Sequence, residues 1–132
     1  EDYVKGNENI LYPKWEKGHY KGGIGEYDRL EQARKINREA ADASASWGMF
    51  QIMGFNYAAC GEESIESFVR SMCESEFKQL LLTANFIKKN SQMLQALQAR
   101  DWAVFAKCYN GPAYAQNRYD VKLEAAYQKY SL

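Results

Sequence analysis

The chain of 132 residues has one histidine, three cysteines and no net charge, and each scarcity excludes something. With His19 alone, a nucleophile–His–carboxylate triad has a single place to form, inside a glycine-rich loop, and no Gly-x-Ser-x-Gly elbow accompanies it. Cys60, Cys73 and Cys108 lack metal-site spacing, and one histidine does not complete a Cys/His set. Their odd number leaves at least one thiol outside any internal pairing. They read as structural or incidental thiols, with the short Cys60–Cys73 loop open to a disulfide. Seventeen basic and seventeen acidic side chains cancel, so no field gathers nucleic acid or anionic lipid. No apolar run approaches the ~20 residues of a membrane span. A phosphate-binding Gly-x-x-x-x-Gly-Lys loop is absent, and Gly22-Gly23-Ile24-Gly25 is too short to replace it. Glu1 opens the chain without a basic or apolar leader, so no signal peptide is visible.

Aromatic side chains are abundant, at 14% with ten tyrosines and three tryptophans. Their flat faces with a polar handle suit sugar rings as well as ordinary packing. The length and the 46% hydrophobic content allow one domain with a real core. Residues 1–24 show no period and are punctuated by glycines, which predicts a loop-rich arm packed by aromatics, with room for a small hairpin. From Tyr27 the spacing of Leu30, Ala33, Ile36, Ala40 and Ala41 predicts a helix to about Ala43. The Trp47–Met53 run reads as a short buried helix stopped by Gly54. Ile65 to Cys73 repeats at helical spacing behind Ser64 as N-cap. Further helices follow through Phe77–Ile87, Met93–Leu97 and Trp102–Tyr109, the last capped by Asp101 and ended by Gly111-Pro112. Tyr119 to Tyr130 carries the final one. No strand alternation of any length occurs, so the fold class is all-α.

Two segments exceed the needs of a core. Ser46-Trp47-Gly48-Met49-Phe50-Gln51 sets an amide in an apolar run, and a buried amide without partners costs ~1–3 kcal/mol. Tyr109-Asn110-Gly111-Pro112 adds a polar, aromatic helix end. A cleft that binds a polar polymer uses both. Glycoside cleavage also needs a carboxylic acid kept protonated by an apolar setting. Glu1, Glu8, Glu16 and Glu26 in the N-terminal arm are the candidates, and Glu16 stands out because Trp15 precedes it.

These residues carry a resemblance. Tyr27-Asp28-Arg29-Leu30, Ser44 to Asn56, Cys60-Gly61, Asp101 to Ala106, Tyr109-Asn110-Gly111-Pro112 and Tyr119-Asp120 are similar to the N-acetylmuramidase domain of phage endolysins and of some secreted or type VI effectors. That domain belongs to the lysozyme-like superfamily. The resemblance implies one muramidase-like domain over residues 1–132. It implies cleavage of the β-1,4 bond between N-acetylmuramic acid and N-acetylglucosamine in peptidoglycan. Ser46, Trp47, Gln51, Tyr109 and Asn110 would line the glycan cleft, with no metal and no cofactor. The partner would be a glycan strand at the cell wall, in the periplasm or outside the cell, rather than nucleic acid or membrane. A monomer is expected, with an immunity protein or a fused delivery or binding domain as further partners. The family's acid is a Glu ahead of an Ile-Leu-aromatic run that many members follow with a second Glu. Here the run is Ile10-Leu11-Tyr12, and Pro13 stands in that second position. Three arrangements stay open: a shortened N-terminal segment that lacks the acid, service by Glu1 or Glu8, or replacement by Glu16. A chain without its acid would bind glycan and not cut it.

Overall fold

The structure is a computed structural model that describes residues 3–14 and 16–131. It is all-α apart from one two-stranded hairpin: α1 (Gly25–Ile36), α2 (Arg38–Ser44), β1 (Ser46–Trp47), β2 (Ile52–Met53), α3 (Ile65–Glu74), α4 (Glu76–Lys89), α5 (Ser91–Ala99), α6 (Trp102–Asn110) and α7 (Tyr119–Tyr130). Short 3-10 turns cover Gly54–Asn56 and Pro112–Asn117. The chain packs as two compact units, residues 1–82 and 83–132.

In the first unit the arm is a series of turns without strand pairing among its described residues. Asn7 N–H donates to the Val4 carbonyl at 2.8 Å, and the Asn37 amide donates to the Tyr3 hydroxyl at 3.0 Å. The helix expected from Tyr27 to Ala43 is two helices. Asn37 is extended (φ −156°), and its side chain accepts from Ala40 N–H at 2.9 Å, which starts α2 afresh. Asn competes with the helical backbone in this way, and its cap overrides the apolar period.

The short helix expected over Trp47–Met53 is instead the hairpin, with Ser46 opposite Met53 and Trp47 opposite Ile52. The one small hairpin among the described residues therefore lies here and not in the arm. Gly48 and Gln51 both take left-handed φ (72° and 53°), which ends any helical path. Trp47 and Ile52 point inward and are buried with Ile65, Phe68 and Met72. α3 begins in a capping box: the Ser64 hydroxyl accepts from Ser67 N–H at 3.1 Å, and Ser64 N–H donates to Ser67 Oγ at 3.2 Å.

All three cysteines are thiols. The Cys60–Cys73 disulfide does not form, because Cys60 faces the interior at 1% exposure while Cys73 is exposed on α3. Burial first, and Glu62 second, push the Cys60 thiol up to about 11.

In the second unit Met93, Ala96 and Phe105 form a core surrounded by Phe86, Ile87, Leu97, Val104, Tyr109 and Leu123. α5 ends at a left-handed Arg100 (φ 57°), and the Asp101 carboxylate accepts from Val104 N–H at 3.1 Å to open α6. Trp102 packs against Tyr127 with ring centroids 5.4 Å apart, and Arg100 lies 5.0 Å over the same Tyr127 ring.

Candidate functional site

The hairpin loop Gly48–Gln51 closes with Gln51 N–H donating to the Gly48 carbonyl at 3.2 Å. Gln51, expected as a buried amide, is exposed. Its Oε1 accepts from the Ser46 hydroxyl at 2.9 Å and its Nε2 donates to the Gly48 carbonyl at 3.0 Å. The structure thus brings Ser46 and Gln51 into one solvent-facing hydroxyl–amide pair, on a residue whose left-handed backbone is disfavoured by roughly 1–2 kcal/mol. Strain of that kind collects where a side chain must point in one direction.

Trp47 lies beneath this pair, 7% exposed, with its indole N–H donating to the Asp42 carbonyl at 2.9 Å. The Asp42 side chain is buried and accepts from Arg34 Nε at 2.6 Å, while Arg34 also reaches Glu31. Arg34 stands 5.8 Å over the Trp47 ring. A carboxylate this buried is tolerated only because the guanidinium stays with it. Gly54 brings the chain back against α2, where a Cβ would lie 2.1 Å from the Asp42 carbonyl oxygen. No sequence period signals Asp42, Arg34 or Gln79 as supports of the hairpin. The close approach behind Gly54 is likewise invisible without coordinates.

In the other unit, Tyr109 and Asn110 end α6. Tyr109 is half-buried between Phe86, edge-on at 5.9 Å, and Phe105, stacked at 5.7 Å. Asn110 is exposed, and Gly111 (φ 83°) stops the helix.

Of the carboxylate candidates, Glu8 and Glu16 sit in the arm and Glu26 in the first turn of α1, while Glu1 lies outside the described residues together with Trp15. Glu8 is exposed, and Gly6 N–H donating at 3.0 Å holds its carboxyl below the usual range. Glu16 is 56% exposed, with Oε2 3.0 Å from His19 Nε2. The His19 ring stacks on Tyr12 at 3.8 Å. Tyr12, Pro13, Lys14, Glu16, His19, Tyr20 and Arg29 line a cavity of about 200 Å³. Glu26 is held low first by Gly22 N–H, against the opposing effect of burial, and it pairs with Arg29 at 2.6 Å. Among the described residues no group of three or more His, Cys, Asp or Glu side chains could hold a metal ion. No described helix is long and apolar enough to cross a membrane.

The helical fold with its one short hairpin is lysozyme-like, and the family match places the chain among the glycoside hydrolases. The sequence pattern of the family described as Muramidase, N-acetylmuramidase, matches residues 1–131, and the chain belongs to that family. Among solved structures, the endolysin of Burkholderia AP3 phage is similar at 42% identity and a TM-score of 0.87. The likeness covers 97% of this chain and 48% of the phage protein's, so the chain spans about half of that relative's length. No curated protein sequence matches significantly.

Proposed function

We propose that this chain is a peptidoglycan hydrolase that cleaves the β-1,4 bond between N-acetylmuramic acid and N-acetylglucosamine. The observation that carries the reading is the exposed Ser46–Gln51 pair, held by a strained turn in a chain of muramidase family. A hydroxyl and an amide fixed in this way suit the N-acetyl and hydroxyl groups of a glycan. Trp47 supports the hairpin from the core, and within their own unit Tyr109 and the exposed Asn110 are the candidates for contact with glycan. Positioning of the scissile sugar contributes several kcal/mol to the lowering of the barrier. Glu16 is the acid in this reading, ahead of Glu8 and Glu1. Its cavity is walled by Tyr12 and Tyr20, and a sugar seated there would displace water from around the carboxyl. Water or the substrate N-acetyl group completes the reaction. The domain works as a monomer on glycan strands of the cell wall, in the periplasm or outside the cell.

A second reading has its own support. Glu8 is held low by a backbone donor, and Glu16 is solvated and beside His19, whereas a general acid needs its proton held by an apolar setting. In that reading the chain binds peptidoglycan without cutting it. Mass spectrometry of soluble products from purified peptidoglycan separates the two. Reducing muramic acid ends are expected, lost with Glu16→Gln and kept with Glu8→Gln. Sacculus binding with no product at all would replace the hydrolase by the binding module.

A further inference from the structure

We infer that Gln79 is a positioning residue that orients the Gln51 side chain through one peptide plane of the hairpin loop. The inference rests on the proposed role of the Ser46–Gln51 pair. Gln79, on the part of α4 that belongs to the first unit, spans two neighbours. Its Nε2 donates to the Met72 carbonyl at the end of α3 at 2.8 Å, and its Oε1 accepts from Met49 N–H at 2.9 Å. The Met49 N–H and the Gly48 carbonyl belong to the same peptide unit. That carbonyl accepts the Gln51 side-chain amide at 3.0 Å, and Gln51 in turn accepts from Ser46 at 2.9 Å. One edge of the peptide is therefore held by Gln79 and the opposite edge by Gln51. If the plane turned over, its N–H would leave Gln79 and its carbonyl would leave Gln51 together.

Packing points the same way. Gly48 sits so close that a Cβ there would be 2.9 Å from Gln79 Oε1 and 3.0 Å from Met72 Sδ, at a φ of 72° that L side chains rarely adopt. A loop with a glycine hinge can flip easily. A fixed amide acceptor on a helix removes that freedom and leaves the exposed pair preorganised for ligand. Gln79 has no need to touch glycan to do this.

The test is a binding cycle read with soluble, peptide-free glycan strands of peptidoglycan by titration calorimetry. Gln79→Met keeps the shape and removes the hydrogen bonds to Met49 and Met72, so binding is expected to weaken about threefold to tenfold, the worth of about one hydrogen bond. Gln79→Glu retains an acceptor for Met49 N–H but sets a carboxylate oxygen against the Met72 carbonyl, so it is expected to bind between the parent and Gln79→Met. In a Gln51→Ala background, Gln79→Met is expected to have no further effect on binding, because the two act through one route. A merely structural role would lower the melting temperature in both backgrounds and weaken binding in both. Amide NMR supplies a direct readout, since the Gln51 side-chain resonances should move in Gln79→Met. Unchanged binding in Gln79→Met, or an equal loss with Gln51→Ala present, overturns the inference. If Ser46→Ala and Gln51→Ala themselves leave binding intact, the parent reading of the hairpin is what fails.

Discussion

Replacing Gly54 by alanine tests whether the hairpin is seated on α2 by direct backbone contact. The added methyl carbon would lie 2.1 Å from the Asp42 carbonyl oxygen, 2.8 Å from Ile65 Cδ1 and 3.0 Å from Ala43 Cα. An ordinary carbon–oxygen approach is about 3.3 Å or more, so the two backbones must separate by roughly 1 Å. The Ile65 methyl can move aside, but the Asp42 oxygen and Ala43 Cα are backbone and cannot. Overpacking of a rigid site costs about 1–3 kcal/mol, and this geometry belongs at the upper end. The separation also strains Gly54 N–H to Ala45 O at 2.9 Å and Trp47 Nε1–H to Asp42 O at 2.9 Å, each worth about 1 kcal/mol. Alanine returns about 0.4–1 kcal/mol by restricting the unfolded chain. The balance is a loss of about 3 kcal/mol, or a fall in melting temperature of about 10 °C for a chain of this length. Far-ultraviolet circular dichroism against temperature measures the fall, and near-ultraviolet signals report the Trp47 environment. A melting temperature within about 2 °C of the parent would refute the argument, since no arrangement that accepts the methyl is compatible with the contact described.

Two further outcomes follow from the titrating groups. Burial opposes ionisation of Glu62, but the Ser71 hydroxyl at 2.7 Å, the Ser67 hydroxyl and the charges of Lys78 and Arg70 together outweigh it, and the carboxyl lies below its ordinary 4.5. A carboxyl depressed on folding stabilises the fold above its unfolded value and loses that effect as pH falls through its folded one. Glu62→Gln should therefore flatten the acid side of the stability curve below about pH 4.5, as read by urea unfolding at successive pH values; a parallel shift at every pH would contradict it. Thiol alkylation at pH 8 with peptide mapping should modify exposed Cys73 rapidly and reach Cys60 only after unfolding, because burial keeps that thiol protonated at about 11. Equal labelling of the two in the folded protein would be the contrary result.

The later helices were legible because period and punctuation agree. Ser64 and Asp101 cap where their side chains say they should, and Gly111-Pro112 stops α6. The lysozyme-like fold and the muramidase family were legible for a different reason, the specificity of the Ser44–Asn56 run. Elsewhere local competition defeats the pattern. A single asparagine divides the expected 27–43 helix, and strands of two residues are too short to display alternation between apolar neighbours. Gln51 looks buried in a sequence because its neighbours are apolar, but a left-handed turn lifts it to the surface. The acid is the least legible element. A proton-donating carboxyl is made by its surroundings, and the arm that carries Glu8 and Glu16 has no period from which surroundings can be read.

The seating of the hairpin changes what its motif can be used for. Trp47 is tied to the Asp42 carbonyl, Gly48 is pressed against Gln79 and Met72, and Gly54 touches the α2 backbone. Those letters hold the hairpin in place and stabilise the fold whatever its chemistry. A relative that had lost its chemistry would retain them to stay soluble, so searching genomes with this run collects folded domains, working and silent alike. Activity has to be sorted afterwards by a different part of the chain.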